Sequence, residues 1–180
     1  MIDEILEHNK RFVAQRGGES FRTDKYPKKG IAILSCMDTR LLELLPAVLN
    51  IRNGDVKMIK NAGAAITDPF DSVMKSLLVA IYELRVNEVM VIGHTHCGVE
   101  GMKGSEMQEL MLKRGIPAER LELVKRCGID LDKWLTGFEN TEQAVRDTVA
   151  LIRTHPLVPD DVRVRGFIVD TDTGELTPLT

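Results

Sequence analysis

The sequence is poor in aromatic residues: five Phe, two Tyr and one Trp in 180 positions, none set among basic residues as a stacking platform. Recognition of single-stranded nucleic acid is disfavoured on that ground. No charge of one sign dominates either, since 24 Lys and Arg stand against 27 Asp and Glu, a formal net charge of −3 without long blocks of one sign. Such a balance does not build a polyanion-binding surface, so no nucleic-acid partner is expected. Long apolar runs are missing, and the N-terminal stretch carries Asp3, Glu4, Glu7, Lys10 and Arg11, which leaves no signal core and no membrane span. A cytoplasmic protein is expected. Cysteine is scarce, odd in number and widely spaced at Cys36, Cys97 and Cys127. That is not a disulfide framework, and in a reducing compartment it moves weight to metal binding or catalysis.

At about 150 residues per domain, the chain reads as one domain over 1–180. A chain of this size buries about 70% of its unfolded surface, so its core stands without a structural metal, and any metal is there for function. Ile2, Ile5, Leu6, Phe12 and Val13 mark an amphipathic N-terminal helix whose apolar stripe needs a cover. Residues 17–30 read as a connection. Short apolar runs at 31–35, 56–59 and 88–92 then alternate with helical patterns at 41–50 and behind Asp68-Pro69, as buried parallel strands and their crossovers do. From 105 to 155 the pattern is helical, broken at Gly115-Ile-Pro117, Gly128 and Gly137. An alternating strand at 162–169, with a turn at 170–174 leading into Leu176, closes the chain. The expected fold is α/β: an open, mostly parallel sheet with flanking helices, an N-terminal helix and a C-terminal β-hairpin.

Ligands of open α/β sheets bind at the carboxyl ends of the strands. The residues at those ends are Cys36, Asp38 and Arg40 after the first run, Lys60, Asn61, Ala62 and Gly63 after the second, and His94, His96, Cys97 and Gly98 after the third. Two cysteines and at least one histidine thus reach one edge from adjacent crossovers, as a Cys₂His zinc centre requires. Three protein donors leave a fourth tetrahedral position for water or substrate. Buried cysteine is also at home as a small apolar residue, and Cys127, without polar company, is expected in the core. Asp38 and Arg40 have the spacing of a bidentate pair that keeps the carboxylate ionised beside the metal; capping of the following helix by Asp38 is the alternative. In an extended strand end His94 and His96 face the same way, so spacing alone does not choose between them. Gly63 is expected to let backbone approach closely under the cleft.

Cys-x-Asp-x-Arg at 36–40, Asn-Ala-Gly at 61–63 and His-x-x-Cys-Gly at 94–98 resemble the motifs of the β-class carbonic anhydrases. The resemblance implies one zinc per chain held by Cys36, His94 and Cys97, with Asp38 and Arg40 as a catalytic dyad and Gly98, Ala62 and Gly63 near the substrate. It implies reversible hydration of carbon dioxide to bicarbonate and a proton by attack of zinc-bound hydroxide, in a homodimer or a multiple of dimers. The family pattern assigns His94 as ligand and leaves His96 as a candidate proton shuttle or a cleft-wall histidine. Two thiolates cancel the charge of Zn²⁺, so activity should favour alkaline pH. Two other functions fit the same residues: hydrolysis of carbonyl sulfide or carbon disulfide, and non-catalytic zinc or bicarbonate binding.

Overall fold

The apolar runs at the start of each crossover become parallel strands because both of their faces are covered. In the computed structural model, which describes residues 1–179, β1 (Ile31–Cys36), β2 (Val56–Asn61), β3 (Glu88–His94), β4 (Arg163–Val169) and β5 (Leu176–Leu179) form a sheet of order β2-β1-β3-β4-β5. β1 runs parallel to β2 and β3, β3 parallel to β4, and β5 returns antiparallel to β4. Successive residues alternate between two cores: Ala32, Leu34, Val89 and Val91 join one, Ile33 and Ile92 the other. Burying each such Leu, Ile or Val side chain contributes about 1.5–3 kcal/mol. Because β1 turns outward to β2 while β3 lies on its other side, the switch point of the sheet falls between the carboxyl ends of β1 and β3.

The helices are α1 (Ile2–Ala14), α2 (Leu41–Val48), α3 (Ser72–Leu84), α4 (Gly104–Lys113), α5 (Ala118–Arg126), α6 (Leu131–Leu135) and α7 (Thr141–Thr154). Leu41 and Leu45 bury α2 on one face of the sheet. Met74, Leu77 and Ile81 of α3, with Val145, Val149 and Ile152 of α7, cover the other. The α3 helix starts later than the Asp68-Pro69 signal predicts. Asp68 turns its Oδ1 to the Phe70 N–H in a local turn, and Asp71 caps the helix by accepting from Met74 N at 2.7 Å. The three predicted breaks in 105–155 all separate helices. Cys127 is not in the core as expected: it sits at the C-terminal cap of α5, exposed to solvent.

The α1 helix stands apart. Ile2, Ile5, Leu6 and Val13 are exposed, and only Phe12 is half-buried, its ring 6.2 Å from that of Phe21 in a short 3-10 turn at Gly17–Phe21. Among the described residues, no helix is long and apolar enough to cross a membrane.

Candidate metal centre

The last residue of β1, the last residue of β3 and the third residue beyond it converge at the switch point. Donor atoms of Cys36, His94 and Cys97 all lie within 4.8 Å of one another, and all three side chains are buried. The two sulfurs are 3.9 Å apart, with both cysteines free. Tetrahedral zinc with Zn–S bonds of about 2.3 Å places two thiolates about 3.8 Å apart, so the pair already has the spacing such an ion needs. The ring of His94 is oriented by its own strand end: Nδ1 lies 2.9 Å from the Thr95 carbonyl, an oxygen that only accepts, so Nδ1 carries the hydrogen. In the neutral ring the Nε2 lone pair is therefore available, and Nε2 is buried without a hydrogen-bond partner among the described residues. A buried orphan nitrogen beside two thiols is a donor set that could hold a metal ion.

Local electrostatics prepare the thiols unequally. Burial pushes the Cys36 thiol up, but neighbouring His94 and the Gly63 N–H, which donates to its sulfur at 3.4 Å, outweigh that effect and bring it to about 7. Burial holds Cys97 above the ordinary thiol range, and the nearby Cys36 adds to the shift. Burial draws His94 down, yet contact with Cys36 and with the Thr95 carbonyl leaves it raised overall. Gly63 makes its contact from a left-handed backbone, φ 81°, with the Phe138 ring where a side chain would go. The close backbone approach expected of this glycine is thus to a metal donor.

Asp38 lies beside the donors, its Oδ2 3.9 Å from His94 Nε2. Its Oδ1 accepts from Arg40 N and Arg40 Nε, both at 2.9 Å, and its Oδ2 accepts from Arg40 Nη2 at 2.8 Å. This fork holds the carboxyl well below the usual carboxylate range. Of the two expectations the pairing is the one observed: the carboxylate binds the guanidinium and closes a local turn onto Arg40 N, while α2, flanked by Arg40, has no side-chain cap.

His96 resolves the ambiguity left by spacing. The strand ends at His94, and His96 sits at φ 56° in left-handed backbone, exposed, so the two rings do not share a face as an extended end would have them. Its carbonyl is what matters locally, accepting from Arg40 Nη2 at 2.9 Å. Gly98 is exposed, with open space where a side chain would stand. Ala62 is exposed and lines a cavity of about 490 Å³ together with Asn61, Val99 and Phe138. Two contributors have roles that the sequence pattern does not assign. Half-buried Lys60, its ammonium shifted down by burial, donates to the Cys36 carbonyl at 3.1 Å. Thr171 meets Arg40 from the far end of the chain. The first could be found from its position at the end of β2; the second had no local signal.

Two thiols and an imidazole at the switch point of an open α/β sheet, faced by an ion-paired carboxylate, define a metal centre of the catalytic type. Residues 31–176 match the carbonic anhydrase family. The "Putative carbonic anhydrase YtiB" of Bacillus subtilis is 51% identical over 176 residues, covering 98% of this chain and 94% of that protein. A carbon disulfide hydrolase of Acidithiobacillus thiooxidans is 29% identical over 155 residues, covering 81% and 75%. The crystal structure of β-carbonic anhydrase isoform I of Trichomonas vaginalis superposes with a TM-score of 0.89 at 32% identity, covering 99% of this chain and 96% of that one. The chain belongs to the β-carbonic anhydrase family of enzymes.

Proposed function

We propose that this chain catalyses the reversible hydration of carbon dioxide to bicarbonate and a proton, with one zinc per chain held by Cys36, His94 and Cys97, acting as a single domain over 1–180. The observation that carries the reading is the buried Nε2 of His94, without a hydrogen-bond partner among the described residues and within 4.8 Å of two free thiols, with an ionised carboxylate facing it. When bound, zinc supplies Lewis-acid activation of water for attack on carbon dioxide.

The protein's own groups do the rest. Asp38, an acceptor on both oxygens, orients the O–H of the attacking water, while Arg40 keeps Asp38 ionised and in place. Gly98 N–H is the proposed donor to a substrate oxygen, on a backbone stretch with room for a small linear molecule beside it. Gly63 fixes Cys36, and Ala62 forms the adjoining wall. A second copy of the chain is the proposed cover for α1, whose exposed Ile2, Ile5, Leu6 and Val13 give a stripe that water does not favour; light scattering in dilute solution reads the mass, and a strict monomer removes the dimer. We assign the protein to the reducing cytoplasm, where sulfurs 3.9 Å apart stay free of oxidation to each other.

The test is stopped-flow carbon dioxide hydration across pH on protein of measured zinc content, beside Cys36→Ser and Cys127→Ser. Zinc near one per chain is expected, with activity rising toward alkaline pH, lost in Cys36→Ser and kept in Cys127→Ser. Full zinc without hydration at any pH overturns the reading. In that event carbon disulfide, the substrate class named for the Acidithiobacillus relative, is the second reading. Release of hydrogen sulfide from carbon disulfide then distinguishes it from a non-catalytic binding protein.

A further inference from the structure

The Asp38–Arg40 pair is braced by an element that the reaction itself does not use. Arg40 directs Nε and Nη2 to the carboxylate, donates from Nη2 to the His96 carbonyl, and turns Nη1 to the Thr171 hydroxyl at 3.3 Å. Thr171 follows β4 and comes from 131 positions further along the chain. A guanidinium held on one edge only can pivot about the carboxylate. A contact on Nη1 takes hold of the opposite side of its plane.

The Thr171 hydroxyl is itself in a fixed place. Thr171 N donates to Thr95 Oγ1 at 3.0 Å, and the two hydroxyl oxygens are 3.1 Å apart, so either can donate to the other. Thr95 N donates to the Val169 carbonyl at 3.1 Å, prolonging the β3–β4 ladder past His94. Beyond Thr171 the turn closes on Asp170, whose Oδ1 accepts from Asp172 N, Thr173 N and the Thr173 hydroxyl. The strand end that orients His94 therefore also fixes the acceptor for Arg40.

We infer that Thr171, seated on Thr95, is a positioning residue that sets the plane of the Arg40 guanidinium and, through it, the Asp38 carboxylate facing the metal donors. Its catalytic consequence rests on the carbonic anhydrase reading; the geometry does not. The hairpin is thereby part of the centre, through the contact of Thr171 with Arg40.

Zinc-loaded Thr171→Val and Thr171→Ser are compared with wild type by carbon dioxide hydration kinetics, zinc content and the ¹⁵N NMR signal of Arg40 Nε–Hε, assigned with Arg40→Lys. Loss of one hydrogen bond to a charged group predicts that Thr171→Val lowers kcat by about tenfold with KM changed less than about twofold. Zinc content stays full, the Arg40 signal shifts and exchanges faster with solvent, and Thr171→Ser returns both kcat and the signal to wild type. An unchanged Arg40 signal in Thr171→Val overturns the inference, as does equal loss in Thr171→Ser, which would mark a packing role. If zinc-loaded wild type hydrates no carbon dioxide, the hydration reading fails by itself. The Arg40 signal then decides the positioning role alone: displaced in Val and restored in Ser supports it, unmoved in Val overturns it.

Discussion

Nε2 of His94 and Oδ2 of Asp38 face each other across 3.9 Å, too far for a hydrogen bond and close enough to bound a small space between them. The nitrogen is orphaned, and the carboxylate takes its hydrogen bonds from Arg40. Asp38 thus stands beside the donor set as a separate acceptor. In Asp38→Asn one carboxylate oxygen becomes an NH₂ group, which cannot accept from water or from Arg40. Zinc content should stay near wild type while kcat/KM for hydration falls by about ten- to a hundredfold, the usual effect of losing an orienting group beside a metal centre. Metal analysis together with stopped-flow kinetics checks both halves.

Arg40→Lys should not behave as a conservative change. The fork that meets Oδ1 and Oδ2 together, and reaches the His96 carbonyl and Thr171 as well, needs a planar group with several fixed donors. An ammonium gives one point of contact on a flexible stem. The expected result is a fall in kcat of about tenfold or more, with the Asp38 carboxyl taking up its proton at higher pH than in wild type, read from the pH titration of its ¹³C carboxyl NMR signal. The sign follows from Asp38: Arg40 holds its carboxyl below the usual range, so without the fork the carboxyl takes up a proton at higher pH. A carboxyl signal that titrates no higher than in wild type would contradict this.

Zinc uptake should release protons, and more of them at lower pH. Burial keeps Cys97 above the ordinary thiol range, so at neutral pH it is protonated in the metal-free protein and must lose its proton to bind. Cys36, at about 7, loses roughly half a proton at pH 7. His94 is raised and adds a further fraction. The total is more than one proton per zinc at pH 7, and affinity falls as pH falls. Calorimetry in buffers of different ionisation enthalpy reads the number directly; zinc uptake without proton release would mean that these thiols are already ionised.

The sequence reaches the parts of this centre that local pattern encodes. Cys36 and His94 end apolar runs, and Cys97 follows three residues on, so strand periodicity alone carries all three to one edge. The mostly parallel sheet and the closing hairpin follow from the same runs; the strand order does not, because it is set by which way each crossover packs. What is missed is set by backbone conformation or by distant contact. The left-handed turn at His96 separates it from His94, and period-two reasoning does not foresee such a turn. Asp71, not Asp68, caps α3 because Asp68 is engaged in its own turn, and both are equally good caps by residue type. By residue type an isolated cysteine packs like a small apolar residue, whereas the position of Cys127 at the end of α5 leaves it in solvent. Thr171 reads locally as one more turn residue of Asp-Thr-Asp-Thr-Gly. Its contact with Arg40 exists only after β4 has paired with β3.

Gly63 joins backbone conformation to metal-donor chemistry, so Gly63→Ala should impair both stability and zinc binding. At φ 81° any side chain is strained, and the added Cβ would fall 2.6 Å from Cε1 of Phe138, a half-buried ring that has some room to move. The backbone term costs about 1–2 kcal/mol, and partial displacement of the ring adds to it. If the loop relaxes to a negative φ instead, the Gly63 N–H swings away from Cys36 Sγ, and the thiol loses a contact that lowers it toward 7. Cys36 would then titrate higher, and zinc would compete with a proton more poorly at neutral pH. Denaturant unfolding of the metal-free protein isolates the first effect; competition against a chelator at pH 7 and again at pH 9 isolates the second. A deficit in zinc affinity that narrows at pH 9 identifies the lost N–H contact. A deficit equal at both pH values would mean that the substitution acts through displacement of the donors alone.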